Sequence, residues 1–164
     1  MKTLYLVRHA HAGWNNANMG DFERTLSGQG RREASAMASR LLGRGFPPGA
    51  VVSSAAIRAL ETAEIFGSVL GFRIETVREE PAIYSGDVET LAGIVASLPE
   101  EAGAAMLFGH NPTISLYGSW LAGKPFAEMD TCGVLRLDLP AATWSAVAGG
   151  SAATASYLSP GRRQ

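Results

Sequence analysis

A chain of 164 residues, 46% apolar and 18% charged, is long enough to bury a core without disulfides or metals, and it reads as one domain over 1–164. A formal net charge of −1 supplies no basic field for DNA or RNA, and basic residues nowhere gather beyond pairs such as the terminal Arg162-Arg163, so nucleic acid is not an expected partner. The single cysteine, Cys132, excludes an intrachain disulfide. No apolar run approaches the ~18 residues of a membrane span and residues 1–7 are too short for a signal-peptide core, so a soluble, cytoplasmic protein without membrane contact is expected.

Residues 2–7 form an apolar run that reads as a buried first strand and delivers Arg8 and His9 at its carboxyl end. A polar loop over 13–23 follows. Ser27 then caps a helix over 28–44, with Ala34, Met37, Ala38, Leu41 and Leu42 on one face, stopped by Gly45 and Pro47-Pro48. A short strand at 50–53 leads into a helix at 56–70, whose candidate buried set is Leu60, Ala63, Ile65, Phe66 and Leu70 and which Gly71 ends.

Residues 72–77 fit a third strand, broken by Glu79-Glu80-Pro81, and Tyr84-Ser85-Gly86 makes a turn. Asp87 caps a helix over 88–98 that Pro99 stops, and 104–108 is a strand apolar throughout, as burial on both faces requires. Gly109-His110 lies at its end, with Asn111 and Pro112 at the N-cap and first turn of a helix reaching 121. Beyond it, 134–139 alternates, 143–148 reads as a short strand and 153–158 as a last extended segment. Strands alternating with helices predict an α/β fold, a three-layer α/β/α sandwich with a mostly parallel central sheet.

The carboxyl ends of the strands in such a sheet border the ligand crevice, which turns Arg8 and His9 into a chemical hypothesis. An arginine is permanently cationic, forks onto phosphate oxygens and disfavours protonation of an adjacent histidine. A neutral imidazole keeps a lone pair free to attack phosphorus, giving a covalent phosphohistidine. Alone, the pair is a weak signal, and a solvated pair at a loop entrance is the more ordinary explanation. Arg58 adds a cation in the first turn of a helix, an unfavourable place unless an anion offsets it, although a surface pair with Glu61 or Glu64 is the more ordinary explanation. His110 adds a third group at a helix start, where anions are favoured.

Arg8-His9-Ala10, Asp21-Phe22-Glu23-Arg24-Thr25-Leu26-Ser27, the Ser53-Ser54-Ala55-Ala56-Ile57-Arg58-Ala59-Leu60-Glu61-Thr62 run and Gly109-His110-Asn111-Pro112 together resemble the histidine phosphatase, or phosphoglycerate mutase-like, superfamily. Within it the chain is most similar to the SixA-type phosphohistidine phosphatases, over essentially its whole length. The resemblance implies a phosphoglycerate mutase-like sandwich in which His9 accepts the phosphoryl group and Arg8, Arg58 and His110 surround it. It implies Asp21 as candidate general acid, with Glu80 behind it, and Arg24 as a further phosphate contact. The implied substrate is a phosphorylated protein or a small phosphorylated molecule, hydrolysed without metal or cofactor.

Thr25 and Ala55 stand where the pattern has proline, Glu61 where glutamine is common, and Ala10 where the wider superfamily has glycine; these departures bear on substrate preference. His11 lies outside the pattern and reads as a loop residue at the rim. A metal site built from His9, His11 and His110 is the competing enzyme, disfavoured because Arg8 repels a divalent cation and no further ligands cluster nearby. The same four basic residues also suit a phosphomonoesterase or mutase of this superfamily, or a phosphate-binding domain without turnover. The oligomeric state is left open.

Overall fold

The computed structural model describes residues 1–14, 18–46 and 49–161. Pro47-Pro48, Arg162-Arg163 and residues 15–17 of the polar loop lie outside the described residues. The first strand, β1 (Lys2–Arg8), sends alternate side chains to opposite faces. Leu4 and Leu6 enter one apolar cluster, while Tyr5 and Val7 enter another. β4 (Ala104–Gly109) does the same, Ala105 and Leu107 on one side and Met106 and Phe108 on the other. Burial on both faces is why each run is apolar without alternation.

On one face lie α1 (Gly28–Leu42) and α2 (Ile57–Leu70), contributing Ala34, Met37, Leu41, Ala63 and Phe66 to the core. On the other lie a single turn, α3 (Ala82–Ser85), with α4 (Val88–Ala96) and α5 (Thr113–Ala122), contributing Ile83, Leu91, Ile94, Ile114 and Tyr117. Between them β2 (Ala50–Ser53), β3 (Arg78–Glu79), β5 (Val134–Leu139) and β6 (Thr154–Leu158) complete a six-stranded sheet in the order β3-β2-β4-β1-β5-β6. The first four strands in the chain pair in parallel, and β5 and β6 are antiparallel, so the sheet is mixed and mostly parallel, as expected.

The strand order decides what meets what. β4 lies between β1 and β2, with Arg8 opposite Gly109 and Phe108 opposite Ser53. Three parallel strands therefore release their chains side by side at one edge. The His9 amide donates to the Gly109 carbonyl (3.1 Å), and the Ser54 amide donates to the Phe108 carbonyl (3.0 Å), so the pairing runs one residue past the strands and fixes the backbone that carries His9, Ser54 and His110. Helix α1 is brought close to the same edge through Gly30. A Cβ there would sit 2.0 Å from the His11 carbonyl oxygen, so only glycine admits this contact. Ser27 caps α1 as expected, its Oγ accepting from the Gly30 amide at 3.0 Å.

Four sequence expectations are corrected. Residues 72–77 are not a strand: Ile74–Thr76 forms a 3-10 turn, and sheet pairing is confined to β3, where only Val52↔Arg78 and Ser53↔Glu79 pair. Phe72 and Ile74 pack against the α1/α2 side without a strand partner. Residues 143–148 carry a 3-10 turn at Trp144–Ala146, with the Trp144 indole fully buried and its Nε1 donating to the Ala102 carbonyl at 2.9 Å. Asn111 does not cap α5, because Pro112 occupies that position and no side chain caps it. Helices α1 and α4 end at Leu42 and Ala96, short of the expected 44 and 98, and Leu42 is exposed. Among the described residues no helix is long and apolar enough to cross a membrane.

Candidate active site

Arg8, His9, Arg58 and His110 come together at the edge where β1, β2 and β4 end. His9 and Arg58 are buried and His110 lies at the burial limit, 9% exposed. The His9 and His110 rings are 5.2 Å apart between centroids. His9 Nδ1 lies 2.8 Å from the Ala10 carbonyl oxygen, which can only accept, so Nδ1 carries the proton and Nε2 keeps its lone pair. Arg58 Nε donates toward that Nε2 at 3.4 Å. His110 Nε2 lies 2.7 Å from the Ser54 hydroxyl. Arg8 donates from Nη1 to the Met129 carbonyl (2.8 Å), and its buried Nε has no hydrogen-bond partner among the described residues.

The guanidinium of Arg58 is held by a carboxylate of this same chain. Nη1 donates to the Asp21 carbonyl (2.6 Å) and Nη2 to Asp21 Oδ2 (3.0 Å). The same Oδ2 accepts from the Tyr84 hydroxyl (2.6 Å), and Oδ1 accepts from Arg24 Nη1 (3.2 Å). An anion does offset the cation in the first turn of α2, and it is Asp21. Glu61 instead pairs with Arg31 and accepts from the Leu26 amide. Glu80 pairs with Arg78 at 2.6 Å on the edge strand. Arg24 also donates to the Ala12 carbonyl (3.0 Å) and stacks on the Trp14 ring at 4.4 Å. His11 is exposed and contacts Ser27, which fits its expected place outside the cluster.

Burial dominates the electrostatics of both rings. It holds His9 down to about 4, and the cations Arg58, Arg8 and Arg24 add to this against the opposing Ala10 carbonyl. It holds His110 down to about 3, assisted by His9 and Arg58 and opposed by Asp21. The hydrogen bond from Tyr84, followed by those from Arg24 and the charge of Arg58, brings Asp21 down to about 2, where it is ionised.

The histidine shifts carry a stability consequence. From about pH 6.5 down to about 4 the unfolded chain takes up protons that the folded rings refuse, so stability falls as pH falls through that window. Urea unfolding at about pH 4.5 should show a native state weaker than at about pH 7 by on the order of 2 kcal/mol for each ring. Replacing His9 by alanine removes its share of that difference. An unchanged pH dependence in the His9→Ala protein shows that the ring is not held neutral by the fold.

Two guanidinium groups and the imidazole of His110 are gathered with the basic Nε2 of His9 where the parallel strands end, and fixed cationic and polar groups of this kind stabilise the charge of phosphoryl transfer. The sequence over 4–104 matches the family model described as the histidine phosphatase superfamily, branch 1. The chain belongs to that superfamily. A relative 30% identical over 152 residues, spanning 87% of this chain and 69% of its own length, is an uncharacterised chloroplastic protein of Arabidopsis thaliana. A solved candidate phosphohistidine phosphatase, SixA of Agrobacterium tumefaciens, is 26% identical with a TM-score of 0.79, covering 98% of this chain and 99% of its own. The fold is also that of a protein histidine phosphatase SixA solved with tungstate (TM-score 0.82, 23% identity, 96% and 97% covered). The protein is a phosphatase of the histidine phosphatase superfamily, of the SixA type.

Set in a histidine phosphatase, several contacts were not legible from the motifs. Thr62 Oγ1 accepts from the Ala10 amide (3.0 Å) and donates to the Arg58 carbonyl (2.7 Å), tying the segment after His9 to α2. Tyr84, read as a turn residue, meets Asp21 through its hydroxyl and His110 edge-on, at 5.6 Å between centroids. Asn111 donates to the Met129 carbonyl that also receives Arg8 (2.9 Å), and Ser115 holds the Met129 amide (2.9 Å). Asn111 thereby supports Arg8 where the sequence suggested a helix cap. Among the described residues no group of three or more His, Cys, Asp and Glu side chains is arranged to hold a metal ion.

Proposed function

We propose that this phosphatase hydrolyses phosphohistidine in a protein, or a related phosphoramidate, through a covalent phospho-His9 intermediate that forms without a metal. The observation that carries the reading is the His9 ring: its proton is held on Nδ1 by the Ala10 carbonyl, and its Nε2 keeps a lone pair that meets only the long 3.4 Å contact from Arg58 Nε among the described hydrogen bonds. Nε2 attacks phosphorus, the bond to the leaving nitrogen breaks with its electron pair, and that nitrogen takes up a proton. Water then attacks phospho-His9, returning the imidazole and releasing phosphate. Arg8, Arg58 and His110 offset the charge on the equatorial oxygens, and Arg24 adds a further contact.

The leaving group follows from the carboxylates. Asp21 is ionised and engaged by Arg58, Arg24 and Tyr84, so it holds no proton to give; the leaving nitrogen takes its proton from water, or from Asp21 only after the carboxylate has lost Arg58 to the phosphoryl oxygens and picked up a proton from solvent. Glu80 is occupied by Arg78. A basic phosphoramidate nitrogen demands less of such a donor than an alkoxide does, and this favours P–N over alkyl P–O substrates. The likeness to proteins described as candidate phosphohistidine phosphatases supports the same choice.

The test is a rapid quench into alkaline denaturant, where phosphohistidine survives, after mixing with a 32P-labelled phosphohistidine protein in the presence of EDTA. Label on the peptide containing His9, turning over with the substrate, is the expected result. Absence of label on that peptide during turnover, or turnover that EDTA stops, overturns the proposal.

A further inference from the structure

We propose that Ser54 is a positioning residue that fixes His110 as the Nδ1–H tautomer, so that this ring offers the phosphoryl group a hydrogen-bond donor and not a lone pair. The inference rests on the reading of the cluster as a phosphoryl-transfer site and assigns the state of one ring within it. Ser54 is fully buried just past β2, with its backbone fixed by the amide bond to the Phe108 carbonyl. Its Oγ accepts the Ala56 amide hydrogen at 3.2 Å and lies 2.7 Å from His110 Nε2.

A hydroxyl has one hydrogen to give, and among the described residues the only acceptor bonded to this Oγ is His110 Nε2. If Nε2 carried the ring proton, the hydroxyl would face two donors, its own hydrogen would be buried without an acceptor and the Nδ1 lone pair would be buried without a donor: two unmet groups, against the single Nδ1–H that the other tautomer leaves for a ligand. Nε2 therefore accepts. The ring is neutral, because burial holds it well below the ordinary range, and its proton must then be on Nδ1. Nδ1 is itself buried and has no hydrogen-bond partner among the described residues, which makes it the ring nitrogen left for a ligand.

The two histidines thus share a tautomer and use it in opposite senses. In His9 the Nδ1 proton is spent on the Ala10 carbonyl and the lone pair is met only by the long 3.4 Å contact from Arg58 Nε; in His110 the lone pair is spent on Ser54 and the proton is left for a ligand. A nucleophile and an electrophilic donor at 5.2 Å follow from two neighbouring hydrogen bonds. Without the hydroxyl, nothing among the described contacts selects the His110 tautomer, and a ring with its lone pair toward the phosphoryl oxygens repels them.

The decisive measurement is long-range 1H–15N correlation on the 15N-histidine-labelled enzyme with no substrate present. Wild type should show an unprotonated Nε2 and a protonated Nδ1 for His110. Ser54→Ala should show a mixture of tautomers, bind inorganic phosphate about tenfold more weakly and lose about tenfold in kcat, and Ser54→Thr, which keeps the hydroxyl, should restore the wild-type spectrum. A protonated Nε2 in wild-type His110, or a Ser54→Ala protein with unchanged tautomer and phosphate affinity, overturns the assignment. Because the spectra are read without turnover, failure to trap phospho-His9 would remove the proposed reaction and leave this result standing or falling on its own.

Discussion

His9→Ala hydrolyses a phosphohistidine substrate at least about ten-thousand-fold more slowly than wild type and retains no label after quenching, yet binds inorganic phosphate within about tenfold of the wild-type affinity. The split follows from the geometry. The substitution removes the basic nitrogen that Arg58 Nε contacts but leaves the other groups proposed to bind the phosphoryl oxygens: Arg8 on the Met129 carbonyl, Arg58 on α2 and His110 against Ser54. Those donors stabilise charge without supplying a nucleophile, so what survives is the slow attack of water on a bound substrate. The alanine also leaves a cavity at a site that is 8% exposed, so a thermal melt belongs beside the kinetics. A variant that folds, binds phosphate and still turns over at a wild-type rate would show that His9 is not the acceptor. A variant that folds and binds no phosphate would show that the ring serves binding and not attack.

Much of this arrangement was legible because its chemistry sits at strand ends. Apolar runs that stop at Arg8-His9, Ser53-Ser54 and Gly109-His110 mark parallel strands buried on both faces, and in such a sheet their ends are neighbours whenever the strands are. The partners of individual side chains were less legible. A sequence places Arg58 in the first turn of a helix and says that an anion should offset it; it does not say that Asp21, thirty-seven positions earlier, supplies one. Apolar residues at 72–77 and 143–148 indicate burial correctly, as Ile74 and Trp144 show, but burial against a helix or under a loop needs no strand partner. The backbone there closes into 3-10 turns. Asn111 has the composition of a helix cap, and a tertiary acceptor, the Met129 carbonyl, takes its side chain instead.

Arg58→Ala loses about a hundred- to a thousandfold in kcat/KM, and it differs from His9→Ala in weakening phosphate binding as well. The guanidinium is poised to contact both the nucleophile and the charge that develops on the transferred group, and a lysine cannot reproduce its fork, so Arg58→Lys recovers only part of the loss. A second effect has a fixed sign. Arg58 is the largest of the charges that depress His9, after burial, so its removal raises the His9 pKa from about 4 toward the ordinary imidazole value. Since only the neutral ring attacks, the acid limb of the rate profile moves to higher pH in Arg58→Ala and stays near the wild-type position in Arg58→Lys. Asp21 responds in the same direction, because losing the charge and hydrogen bond of Arg58 lets its carboxyl rise from about 2, while Tyr84 and Arg24 remain to hold part of the depression. An Arg58→Ala enzyme that keeps wild-type phosphate affinity, with its acid limb unmoved, would place the guanidinium in service of Asp21 alone. The contact to His9 Nε2 would then be a consequence of packing at the helix start and not part of the reaction.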